Sequence, residues 1–170
     1  MRYKAMKKIF KLFLILLFGI PAAAYSADNT IAPSHGIAYP IGWQDWATIA
    51  VSHRTDNNTI RVILGNDLAV KAARSGNTNP WPDGAVIGKV VWKDTQLSDW
   101  QEATAPGKFV HAEFMFKDNK RYSNTYGWGW ARWVGLEQKP FEKGMNVCTS
   151  CHTPVMMRDW VFTEPASFPK

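Results

Sequence analysis

Only two cysteines occur among the 170 residues, the first 26 residues contain no acid, and the longest apolar run reaches only from Leu12 to Ile20. Each shortage excludes something. With no second Cys-x-x-Cys, a four-ligand structural zinc site cannot be built. The apolar run falls short of the roughly 20 residues needed to span a bilayer of about 30 Å, so it is no transmembrane helix. Internal repeats and low-complexity tracts are also missing. What remains, 46% hydrophobic and 20% charged residues, is the balance of one ordinary globular domain and too short a chain for a two-domain enzyme.

The formal charge of +6 would by itself point to nucleic acid or an acidic surface as partner. Its location removes that reading. Arg2, Lys4, Lys7, Lys8 and Lys11 precede the apolar run, which is followed by Pro21 and Ala22-Ala23-Ala24; this is the layout of a secretory signal peptide over residues 1–26. Cleavage is expected after Ala24 or Ser26, with Ser26 preferred, leaving a single domain over 27–170 that is exported to the periplasm and has no membrane span. Basic residues then fall from 20 to 15 against 14 acids, a net charge of +1. So small a surplus leaves little counterion release, and nucleic acid is not expected as a partner.

Along the mature chain, Ala27 to Pro40 reads as an extended lead-in, and Trp43-Gln44-Asp45-Trp46 as a short helix or turn. The β-branched run Thr59–Leu64 predicts a strand, and Asn66 or Asp67 caps a helix over Leu68–Arg74 that Gly76 ends. Asn77 to Gly84 is a loop. Further strands are expected at Ala85–Trp92, Phe109–Phe116 and about Gly127–Val134, with a polar segment containing Pro106-Gly107 between the first two. Short connections between strands imply an α+β fold, a predominantly antiparallel sheet with flanking helices.

Both cysteines fall in Cys148-Thr149-Ser150-Cys151-His152, the C-x-x-C-H haem c attachment pattern. Two thiols at this spacing add to the two porphyrin vinyl groups, and the histidine that follows becomes the axial iron ligand. A thioredoxin-like pair would need a βαβ setting, and a simple disulfide would not explain His152. One covalent haem c with its iron per chain is therefore expected. The sixth ligand stays open among Met145, Met156, Met157, His35, His53 and His111; a closed iron would mark an electron carrier, and a vacant position would admit a small molecule. Small electron-transfer cytochromes are mainly helical, whereas this chain reads strand-rich.

Two strand residues stand out by period-two alternation. Lys89 shares a face with Ala85, Ile87 and Val91; it either snorkels outward from that apolar row or is functional. Glu113 shares a face with His111 and Met115. Arg61, flanked by Ile60 and Val62, can pair with a haem propionate or lie solvated on its strand. Trp128, Trp130 and Trp46 can wall a haem or simply pack.

The blocks Trp81-Pro82-Asp83-Gly84-Ala85-Val86-Ile87-Gly88-Lys89, His111 to Tyr122, Gly127-Trp128-Gly129-Trp130, and Cys148 to His152 followed by Asp159 to Thr163 resemble, in order and spacing, the cytochrome P-460 family, which includes the cytochrome c′-beta proteins. That resemblance implies an antiparallel sheet with flanking helices and a homodimer. It further implies either hydroxylamine oxidation to nitrous oxide at a five-coordinate haem joined to a lysine, with electrons leaving to a partner cytochrome, or binding of nitric oxide or a related gas without the lysine bond. Carried onto this chain, Lys89 stands where the enzymes have their cross-linking lysine, and Glu113 where they have a proton-relaying pocket carboxylate. Burial beside a haem is expected to raise the Glu113 pKa toward working pH. The loop Asn77 to Pro82 is longer than in those oxidases, and the N-terminal third matches poorly.

Overall fold

A β-branched strand that is apolar on both faces needs cover on both sides, and this chain supplies it with separate elements. The computed structural model describes residues 31–32 and 36–169. The expected signal segment and His35 lie outside the described residues. β1 (Ile31–Ala32) pairs with β2 (Ile37–Ala38). After a 3-10 turn at Trp43–Asp45 come β3 (Ala47–Arg54) and β4 (Thr59–Gly65), then α1 (Asp67–Ser75). β5 (Val86–Leu97), β6 (Trp100–Lys117), β7 (Trp128–Val134) and β8 (Lys139–Pro140) follow, and α2 (Met145–His152) runs into a 3-10 segment over Thr153–Arg158. β3 to β8 form one antiparallel six-stranded meander in chain order, the α+β architecture expected from sequence.

α1 begins where expected because the Asn66 side chain accepts the Ala69 N–H at 3.0 Å. It ends where Gly76 takes a left-handed φ of 75°. Its buried alanines and Val70 pack on one sheet face with Ile49, Ile63, Ile87, Met115, Trp128 and Trp130. The other face is aromatic. There Phe114, 2% exposed, meets Tyr39, Trp43, Trp46 and Trp133, mostly edge-on, at centroid distances of 5.8–6.2 Å. Trp46 therefore packs on the face opposite α2, which corrects its expected place in a haem wall.

Two strand segments depart from the local sequence pattern. Ala47–Arg54 is a strand, although a register shift between Thr48 and Ala50 breaks the alternation that would reveal it. Pro106-Gly107, expected between strands, lies within β6, where Asp94 pairs with Pro106. There β5 and β6 run on past the sheet as a two-stranded arm, and a proline without N–H is tolerated where both strands are edges.

The aromatic face leaves no spare room at Gly88. A Cβ there would stand 2.7 Å from Phe114 Cε1, and the ring is hemmed in by the four aromatics above. Gly88→Ala should cost about 1–3 kcal/mol by overpacking, read as a lower urea midpoint with unchanged slope.

Candidate functional site

Register brings the charged residues together. Ile63 pairs with Lys89, Lys89 with Glu113, and Glu113 with Arg132, so β4 to β7 lay these side chains in one row on the α1/α2 face. Arg61 and His111 stand one step along, both opposite Val91. Lys89 Nζ forms an ion pair with Glu113, while Arg132 donates to Glu113 Oε2 from Nε at 2.6 Å and from Nη2 at 2.5 Å. His111 Nε2 is 3.7 Å from the same oxygen. Arg132 was not singled out in the sequence, although it alternates with Trp128 and Trp130.

Burial pushes the Glu113 carboxyl up, but Lys89, Arg132 and His111 outweigh it and hold its pKa at about 2. The expected upward shift is thus reversed, because sequence alone did not place two cations against this carboxylate. His111 is lowered to about 4, first by burial, with Glu113 opposing and Arg132 and Lys89 reinforcing it. It is neutral at physiological pH.

α2 packs against β7 on this same face, beside the row. Cys148 is partly buried against the α1-side cluster, and its thiol is raised first by burial and then by Glu113. Cys148 and Cys151 are both free, at the i, i+3 spacing that places two side chains on neighbouring turns of one helical face. The His152 ring meets Trp130 and Phe162 edge-on at 4.6 and 4.9 Å. Its Nδ1 donates to the Trp160 carbonyl at 2.6 Å, because a carbonyl can only accept. That fixes the tautomer and leaves Nε2 with its lone pair, while burial lowers the imidazole pKa and keeps it neutral.

These residues fit a haem. Two unpaired thiols are at hand, with an oriented neutral imidazole beside them. Facing them are three cations, Arg61, Lys89 and Arg132, against the single anion Glu113. Arg61 Nε is buried without a hydrogen-bond partner, as suits a guanidinium awaiting a carboxylate such as a propionate. Among the described residues no three His, Cys, Asp or Glu side chains converge on a free-metal site; an iron held by a porphyrin needs only an axial ligand.

The other proposed sixth ligands are scattered. His53 forms a surface pair with Asp94 at 2.7 Å, and Met156 and Met157 are exposed. The Met145 sulfur accepts the Trp130 N–H at 3.4 Å. Of the candidate histidines among the described residues, only His111 joins the charged row.

An antiparallel sheet that presents a polar row beside a helix bearing two thiols and an oriented histidine suits a haem-binding protein. The family model described as Cytochrome P460 matches residues 40–163, and the chain belongs to that family. It is a haem protein of the cytochrome type. Comparison with curated proteins gives no match. Among the described residues no helix is long and apolar enough to cross a membrane.

Proposed function

We propose that this chain is an exported c-type haem protein that oxidises hydroxylamine to nitrous oxide and passes the electrons to a partner cytochrome. The reading rests on one observation above all: Lys89 and Glu113 lie side by side on the sheet face against which Cys148 of α2 packs. Cys148 and Cys151 would hold the haem by thioethers, and His152 would ligate its iron. When bound, the haem supplies the redox-active iron at which hydroxylamine is oxidised. Arg61 would pair with a propionate, and Lys89 would supply a third covalent link, one N–H and one porphyrin C–H giving way to an N–C bond while a peroxide takes up the two electrons and two protons as water. The link has an electrostatic consequence for this chain: a lysine nitrogen bonded to a porphyrin carbon loses its ammonium charge. Glu113 then sheds one of the two cations that hold its pKa down, stays oriented by Arg132, and becomes a better proton acceptor.

A second reading is favoured by the same ion pair. A Lys89 that stays charged on Glu113 is a satisfied structural residue, and the haem then binds nitric oxide or a related gas without turnover. Periplasmic location is supported in either case by the signal-peptide pattern of residues 1–26 and by the haem c attachment pattern. A homodimer is supported by the protruding arm, where Leu97 and Trp100 are exposed apolar residues.

Peptide mass mapping with an absorption spectrum separates these readings. Oxidation predicts a Lys89 peptide carrying haem and a ferrous Soret band to the red of ordinary haem c. A Lys89 peptide recovered free with an ordinary high-spin spectrum selects gas binding, and a low-spin spectrum with a sharp α band overturns both.

A further inference from the structure

Lys117 and Asp159 form an ion pair at 2.8 Å with side chains only 2% and 10% exposed, on the same sheet face as the charged row but at its far end. Taking two charges out of water is costly, and a buried pair is weak evidence of stabilisation in its own right. What the pair does hold is the turn behind the histidine. Asp159 and Trp160 both have left-handed φ, 49° and 65°, which non-glycine residues seldom adopt without support.

The support comes from several elements. Lys117 at the end of β6 donates to Asp159 Oδ1, and the Trp81 N–H donates to Oδ2 at 2.8 Å. Trp128 Nε1 on β7 donates to the Asp159 carbonyl at 2.9 Å, while its ring lies 4.9 Å from Lys117 Nζ. Asn79 Nδ2 donates to the Met157 carbonyl at 3.0 Å, and the Trp160 ring stacks on Tyr126 at 4.0 Å. Apart from the Lys117–Trp128 contact, each of these reaches a residue of 157–160. The carbonyl they aim is that of Trp160, which accepts the hydrogen bond from His152 Nδ1–H.

We infer that Asp159 and Lys117 are positioning residues for His152. They set the direction of the Trp160 carbonyl and hence the strength of the hydrogen bond that makes the imidazole an electron-rich ligand. The inference rests on His152 being the axial ligand of the haem proposed above. It gives the long loop Asn77–Pro82 a task, since Asn79 and Trp81 brace this turn.

The test uses the haem-loaded full chain with Asp159→Asn, Lys117→Met and Trp128→Phe, which keeps an aromatic ring but removes the Nε1 donor together with part of a fully buried indole. Haem per chain, the ferrous iron–histidine stretch by resonance Raman and the midpoint potential are measured for each. The expected result is unchanged haem content, a stretch shifted to lower frequency and a potential shifted upward, with Lys117→Arg recovering most of both shifts. A general structural role would lower the thermal midpoint and leave the stretch and potential where they were; that result in Trp128→Phe and in whichever ion-pair variant folds overturns the inference. Absence of haem from the unaltered chain overturns the underlying reading, and haem content reports it separately from the stretch.

Discussion

Replacing Cys148 and Cys151 together by alanine should abolish the haem-staining band on a denaturing gel, while the unaltered chain keeps it. Thioether formation adds a thiol S–H across a vinyl double bond, with sulfur bonding one carbon and hydrogen the other, so a chain without thiols has no covalent route to the porphyrin. No other cysteine exists to substitute. Cys148 lies partly buried against Trp130 and its neighbours and Cys151 is exposed, so each single variant should retain haem through the remaining thioether. The loss of the band is thus an all-or-none result of the double variant. Folding should survive, because trimming two thiols at the rim of the cluster leaves the six-stranded sheet untouched. Haem staining that persists in the double variant would sink the thioether assignment.

How far such a site is legible from sequence depends on the separation of its parts. Cys148, Cys151 and His152 lie within five residues, and their chemistry needs only local spacing. Lys89 and Glu113 were each placed on a face by alternation, but that they touch is a fact of strand register, which no local pattern carries. Arg132 was overlooked for the same reason. Its position opposite Glu113 reverses the pKa direction inferred from burial alone. Lys117 and Asp159 are 42 residues apart and meet only because the chain after α2 folds back on the end of β6.

The fold shows the same division. The strands over Thr59–Leu64 and Phe109–Phe116 were readable because both their faces are covered and their runs are apolar or β-branched. The arm from Asp94 to Pro106 reads as loop because it has no core to face; without burial, nothing obliges its residues to alternate.

The largest effect on chemistry is expected at Glu113. Glu113→Gln should leave haem content intact and slow hydroxylamine turnover on the order of 10²–10⁴-fold, the usual worth of a positioned proton acceptor. Turnover that stays unchanged would remove Glu113 from the proton path. The same substitution has a stability signature whose sign follows from the two shifted groups. Glu113 titrates near 2 in the folded chain against an ordinary 4.5, so its contribution is complete above 4.5 and is lost as pH falls from there toward 2. His111 titrates near 4 against an ordinary 6.5; below 6.5 the unfolded chain takes up a proton that the folded chain refuses, and stability again falls with pH. Both slopes run the same way, and the Glu113 part amounts to at most about 3 kcal/mol. In Glu113→Gln the Glu113 part of the slope below 4.5 should vanish. The His111 slope should reach further down, since the carboxylate that holds its pKa up is gone. Urea midpoints measured from neutral pH downward should therefore give two nearly parallel curves above 4.5 that draw together below it. In a chain whose Lys89 is bonded to the porphyrin, Glu113 keeps only Arg132 and His111 as partners, and the point of convergence should move to higher pH than in a chain where the ammonium persists.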